Sequence, residues 1–137
     1  MTRRVLALSF AVALAFLLSP AVSYAQFEVH AATVHVTFPF VAEGKTMPPG
    51  HYELRISRDE STATLLPEGG DGGVILPVMT RLAASESPIN ETRIVFDKVG
   101  DTRYLSEAWL PGEDGYLFYA AKVKHTHEVV KGEKKTK

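Results

Sequence analysis

Residues 32–38 alternate strictly. Ala32, Val34, Val36 and Phe38 fall on one side, and Thr33, His35 and Thr37 on the other. That period of two is the rhythm of a half-buried strand, and it excludes a helix there. It returns at 51–57, where Tyr52, Leu54 and Ile56 oppose His51, Glu53 and Arg55. Past the leader, no segment places apolar residues at i, i+3, i+4 and i+7 with caps at its ends. The spacing predicts an all-β chain, an antiparallel β-sandwich or small barrel of six to eight strands.

Punctuation divides the strands. Pro39 removes a ladder donor and ends regular pairing. Residues 45–50, closing on Pro48-Pro49-Gly50, read as a turn, and Asp59-Glu60-Ser61 as a polar break before a strand at 62–66. Four glycines within residues 68–73 read as a hairpin loop. No Lys-Ser or Lys-Thr pair follows them, so a phosphate cradle is a poor reading. Residues 74–80 form a continuous apolar run, which suggests burial on both faces. Pro77 inside it demands an edge, a bulge or a bend that switches sheets. Leu82-Ala83-Ala84 reads as a helical turn, and Asn90-Glu91-Thr92 has the form of a glycosylation sequon. Strands at 93–99 and 103–110, joined by Gly100-Asp101, make the firmest hairpin. In the second, simple alternation puts Leu105, Glu107 and Trp109 on one face and Tyr104, Ser106, Ala108 and Leu110 on the other. Residues 116–123 read as a strand, with 125–130 extending it or pairing back on it.

The first 25 residues read as an address. Arg3 and Arg4 precede an apolar run at 5–18, and Ser23-Tyr24-Ala25 offers small residues at both positions a signal peptidase reads. The run falls short of the roughly 20 residues that cross a bilayer, so a cleaved signal helix is expected rather than an anchor, with no transmembrane segment in the mature chain. The expected divisions are a signal peptide at 1–25, an all-β domain at 26–123 and a basic tail at 124–137. The chain contains no cysteine, which excludes disulfides, thiolate metal sites and a cysteine nucleophile. Residues 26–121 carry 7 basic and 14 acidic side chains, whereas 122–137 carry six lysines and two glutamates. An acidic body argues against nucleic acid as a partner. The lysine-rich end reads as a frayed, solvated terminus or as a weak attachment to an anionic surface.

Several blocks together resemble a family of small secreted bacterial all-β proteins that carry a signal peptide. The blocks are Val36-Thr37-Phe38-Pro39-Phe40, Gly44-Lys45-Thr46-Met47-Pro48-Pro49-Gly50-His51-Tyr52, Arg93-Ile94-Val95-Phe96, Gly100-Asp101 and Tyr104-Leu105-Ser106-Glu107-Ala108-Trp109. They span most of the chain from residue 34 to 115. The resemblance implies secretion and an all-β fold, and carries no catalytic residues with it.

Few side chains point to chemistry. His125 and His127 are two apart, so on a strand both imidazoles share a face and can meet one metal ion. A third ligand would come from His35 or His51, and solvated histidines are the plain alternative. Glu107, beside Trp109, is a candidate acid if its surroundings are apolar. Otherwise it is an exposed glutamate, or pairs with Arg93 or Arg103 across the hairpin. Asp97 and Asp101 read as strand-face and turn residues. No Gly-x-Ser-x-Gly elbow is present. Tyr104, Glu107, Trp109 and Tyr116 mark a candidate binding face for a glycan or peptide.

The sequence thus points to an exported, periplasmic or extracellular, non-enzymatic β-domain without a cofactor, structural or binding through a sheet face or edge. One alternative is a metal-binding protein or metal-dependent enzyme using His125 and His127. Another is an envelope subunit that joins its assembly by β-augmentation near Pro77.

Overall fold

The computed structural model describes residues 30–84 and 90–134. The leader and its cleavage site lie outside the described residues. Eleven strands are formed among those described: β1 (Ala31–Val36), β2 (Phe40–Ala42), β3 (Lys45–Met47), β4 (Gly50–Ile56), β5 (Thr62–Pro67), β6 (Val74–Pro77), β7 (Thr80–Leu82), β8 (Arg93–Val99), β9 (Thr102–Trp109), β10 (Gly115–Leu117) and β11 (Thr126–Lys131). They exceed the expected six to eight because several are only three residues long.

The strands make two sheets and no closed barrel, an all-β sandwich. The smaller sheet runs β1-β4-β5-β6 and is antiparallel throughout. The larger runs β11-β8-β9-β10-β7, with β2 and β3 attached beside β9. Alternation does what the sequence predicts in the smaller sheet: Ala32, Val34, Val36, Tyr52, Leu54 and Ile56 are buried. Phe40 ties the layers together. Its ring meets Phe96 of the larger sheet and Tyr52 of the smaller, each edge-on with centroids 5.2 Å apart. Such contacts add about 0.5–1.5 kcal/mol beyond the area they bury.

Several expectations are corrected. The turn at 45–50 is narrower. Glu43 and Gly44, both at positive φ, turn the chain instead, and Lys45–Met47 returns as β3 on β2. The apolar run at 74–80 is buried on one face only: in the edge strand β6 Leu76 is buried and Ile75 exposed, and Met79 beyond it is exposed as well. Pro77 does mark a change of sheet. The Val78 amide donates to Ser61 and that of Met79 to Leu117, after which β7 pairs with β10. No helical turn forms at Leu82-Ala83-Ala84. Leu82 belongs to β7, and the Ala84 amide donates to the Asp114 carboxylate.

The β8–β9 hairpin forms as expected but carries a bulge. Val95 pairs with Glu107 and Phe96 with Leu105, so Ser106 is the extra residue. The bulge reverses the alternation, as bulges do. Leu105 therefore joins Ala108 and Leu110 inside, while Glu107 and Trp109 stay half-buried outside. Beyond β10 the expected strand at 116–123 stops at Leu117. The chain then crosses to the far edge, where β11 neither extends β10 nor pairs back on it but lies antiparallel to β8. The sheet thus continues into the 124–137 segment, where Val130 packs against the core, rather than ending in a frayed terminus at residue 124.

Candidate metal centre

The site is assembled from the bulge outward. At Ser106 the partner of β9 changes from β2, which meets it at Tyr104, to β10, which meets it from Glu107 onward. The freed Ser106 carbonyl accepts the amides of Phe118 and Tyr119, and its hydroxyl donates to the Tyr119 carbonyl at 2.6 Å. This fixes where the chain leaves β10. Two residues later the Ala121 amide donates to Oδ2 of Asp97 at 3.0 Å. The connection therefore lies across the outer side of β8, and Asp97 is only 1% exposed.

A buried carboxylate needs compensation, because desolvating an unpaired charge costs several kcal/mol. Among the described residues its ion-pair partners are two imidazoles. His127 stands directly opposite Asp97 in the β8–β11 register, and its Nδ1 lies 2.9 Å from Oδ1. His125 comes from the residue before β11. Its Nδ1 is 2.7 Å from the Val123 carbonyl. A carbonyl only accepts, so Nδ1 carries the hydrogen, and the neutral ring presents Nε2 as a lone pair. That Nε2 lies 3.9 Å from Oδ2 of Asp97. The Nε2 lone pair and the carboxylate oxygen thus border one space that a metal ion could bridge. The two histidine rings meet edge-on with centroids 4.9 Å apart, and one donor atom from each of the three residues lies within 4.8 Å of the others.

The geometry suits a small ion. A tetrahedral centre with bonds of about 2.0–2.1 Å keeps its donors roughly 3.3 Å apart, so a modest ring rotation closes the 3.9 Å gap. Two imidazoles and a carboxylate match zinc, copper(II) or nickel(II) better than calcium or magnesium. Close by, Glu128 takes Arg103 as a partner at 2.6 Å and Lys98 at 3.7 Å. Its hydrogen bond to Arg103 holds that carboxyl below the usual carboxylate range.

The sequence anticipated the pairing of His125 with His127 but not the third member. His35 and His51 stack on each other and join Glu133. They do not reach His125. Asp97 read as an ordinary strand-face residue. The available signal was Val95, whose burial on the same side of β8 shows that face to be covered.

The other candidates do not converge. Tyr104 stacks on Tyr119, centroids 4.9 Å apart, beside a cavity of about 220 Å³. Glu107 pairs with neither Arg93 nor Arg103. It accepts from the indole nitrogen of Trp109 at 2.8 Å, while Arg93 turns to Glu91 and Arg103 to Glu128. Tyr116 is fully buried and lies apart from the outer surface that holds Glu107 and Trp109. Its hydroxyl donates to Glu113 at 3.0 Å, the Arg81 guanidinium covers its ring, and burial raises the phenol well above its ordinary value. Among the described residues, no helix is long and apolar enough to cross a membrane. No family model, no curated protein and no solved structure matches the chain.

Proposed function

We propose that the chain is an exported, non-catalytic β-sandwich that binds a divalent transition metal through His125, His127 and Asp97. The observation that carries this reading is the acceptor-to-acceptor approach of His125 Nε2 and Asp97 Oδ2 at 3.9 Å. The tautomer that creates it is set by the Val123 carbonyl. Histidines that bind metal generally donate their second ring nitrogen to a carbonyl or carboxylate, and His125 does so to the Val123 carbonyl. Export is supported by the positive, apolar and small-residue order of residues 3–25.

Isothermal titration of the purified protein with zinc, nickel and copper(II) tests the binding. Wild type should lose one saturable equivalent in the His125→Ala, His127→Ala double variant, and Asp97→Asn should weaken that equivalent at least tenfold, the scale set by removing a partner of a metal-binding histidine. Identical titrations for wild type and double variant, or no saturable binding tighter than about 10 μM, would sink the reading. Export has its own readout. Intact mass of the protein recovered outside the cytoplasm should begin at Gln26, and an uncleaved cytosolic chain would contradict it.

A further inference from the structure

A second group of donors lies on the other layer of the sandwich. His35 of β1 and His51 of β4 are direct cross-strand partners. Their rings stack with centroids 4.1 Å apart and planes 10° from parallel. Directly opposite residues on one sheet face are the closest side-chain neighbours a strand pair offers. The pairing is therefore imposed by the register and not by a mobile loop.

The third member arrives from the larger sheet. Past β11, Gly132 forms a bridge with Val34, and the Glu133 amide donates to the Thr33 carbonyl at 2.8 Å. This approach requires glycine, because a Cβ at residue 132 would lie 2.5 Å from the Thr92 side chain. Glu133 is thereby held over β1, and its Oε1 lies 2.9 Å from Nδ1 of His51. With the Nδ1 proton displaced, that nitrogen and the carboxylate can share one ion. One donor atom from each of His35, His51 and Glu133 lies within 4.8 Å of the others, and all three residues are exposed. His51 and Glu133 also line an open trough of about 570 Å³ along β4 and β5, which gives a hydrated ion a way in.

We propose that His35, His51 and Glu133 form a second transition-metal site, whose ion fastens the chain beyond β11 to the smaller sheet. Each end of β11 then has its own cluster. Asp97, His125 and His127 hold the start of the strand within the larger sheet. The second site holds its far end across to β1, on the side where β1 and β11 lie edge to edge. The donor set is again two imidazoles and a carboxylate, so the candidate ions are zinc, copper(II) and nickel(II). An ion that binds the folded arrangement and not the open one stabilises it by mass action.

The two sites share no residue, and one experiment separates them. The full chain carrying His125→Ala and His127→Ala is titrated with copper(II) and with zinc, and its melting temperature is followed. The expected result is one remaining saturable equivalent, accompanied by a rise in melting temperature. Adding His35→Ala and His51→Ala should abolish both. Glu133→Gln, an exposed change that leaves both imidazoles in place, should weaken binding at least tenfold and remove most of the thermal shift. No remaining equivalent, or one indifferent to His35 and His51, overturns the site. Binding that survives Glu133→Gln at full strength overturns the fastening role, whatever the first site does.

Discussion

Oδ1 of Asp97 lies 2.9 Å from Nδ1 of His127, straight across the β8–β11 pair. The same carboxylate holds the Ala121 amide through its other oxygen. One buried side chain therefore joins an edge strand to the connection that precedes it.

Asp97→Asn should cost stability even in chelator-treated buffer. An amide cannot accept through both positions, so either the Ala121 amide or the His127 ring loses its part-buried hydrogen bond, worth about 1 kcal/mol. Urea unfolding with and without added zinc separates this cost from the loss of metal binding. Equal midpoints for variant and wild type in chelator would show that the carboxylate does not organise the loop.

Ser106→Ala tests the bulge. The backbone bonds from Phe118 and Tyr119 to residue 106 remain, and only the hydroxyl bond to the Tyr119 carbonyl is lost. The expected destabilisation is about 1 kcal/mol, with the Phe118 amide still protected in hydrogen exchange. Loss of that protection would mean that the side chain, not the backbone, holds the chain there.

Gly115→Ala probes the packing of the single tryptophan. A Cβ at residue 115 would sit 2.8 Å from Trp109 Cε2 and Cζ2, closer than real contacts allow. The ring must shift, at a cost of about 1–3 kcal/mol. Because Trp109 is the only tryptophan, its emission reports the movement directly. Unchanged emission and stability would contradict the packing described.

Asp59 gives a pH signature. Hydrogen bonds from the Ser57 and Ser61 hydroxyls, joined by the Ser61 amide, lower its carboxyl from 3.8 to about 2. A depressed folded value means the stabilisation is fully present above pH 3.8. It is lost as the pH falls towards 2. Wild type should therefore lose its margin over Asp59→Asn across that window. Parallel curves for the two proteins between pH 5 and pH 2 would contradict the sign.

Local rhythm carried much of this fold. The inward residues of β1 and β4, the glycine loop after β5 and the bend at Pro77 follow from alternation and punctuation within a few residues. What resisted reading depends on partners distant in the chain. The Ser106 bulge arises because β9 changes neighbours midway, which nothing in Tyr104-Leu105-Ser106-Glu107 announces. The seat of Asp97 depends on β11 pairing with β8, a register set by residues about 30 positions away. His125 and His127 stood out because two imidazoles with one residue between them are a local pattern. Asp97 and Glu133 did not, since single carboxylates are common and their placement is wholly tertiary. Similarly, His35 and His51 read as alternative third ligands for His125 and His127 until the β1–β4 register set them face to face.

The pairing of β11 with β8 also closes an edge. A chain ending at Lys124 would keep the β8–β9 hairpin and leave the outer rim of β8 unsatisfied. Such a rim recruits any extended segment that reaches it, including the same rim on a second copy. Thr126–Lys131 acts as an internal guard against that encounter. A truncation just before it should yield inclusion bodies rather than a shorter soluble sandwich.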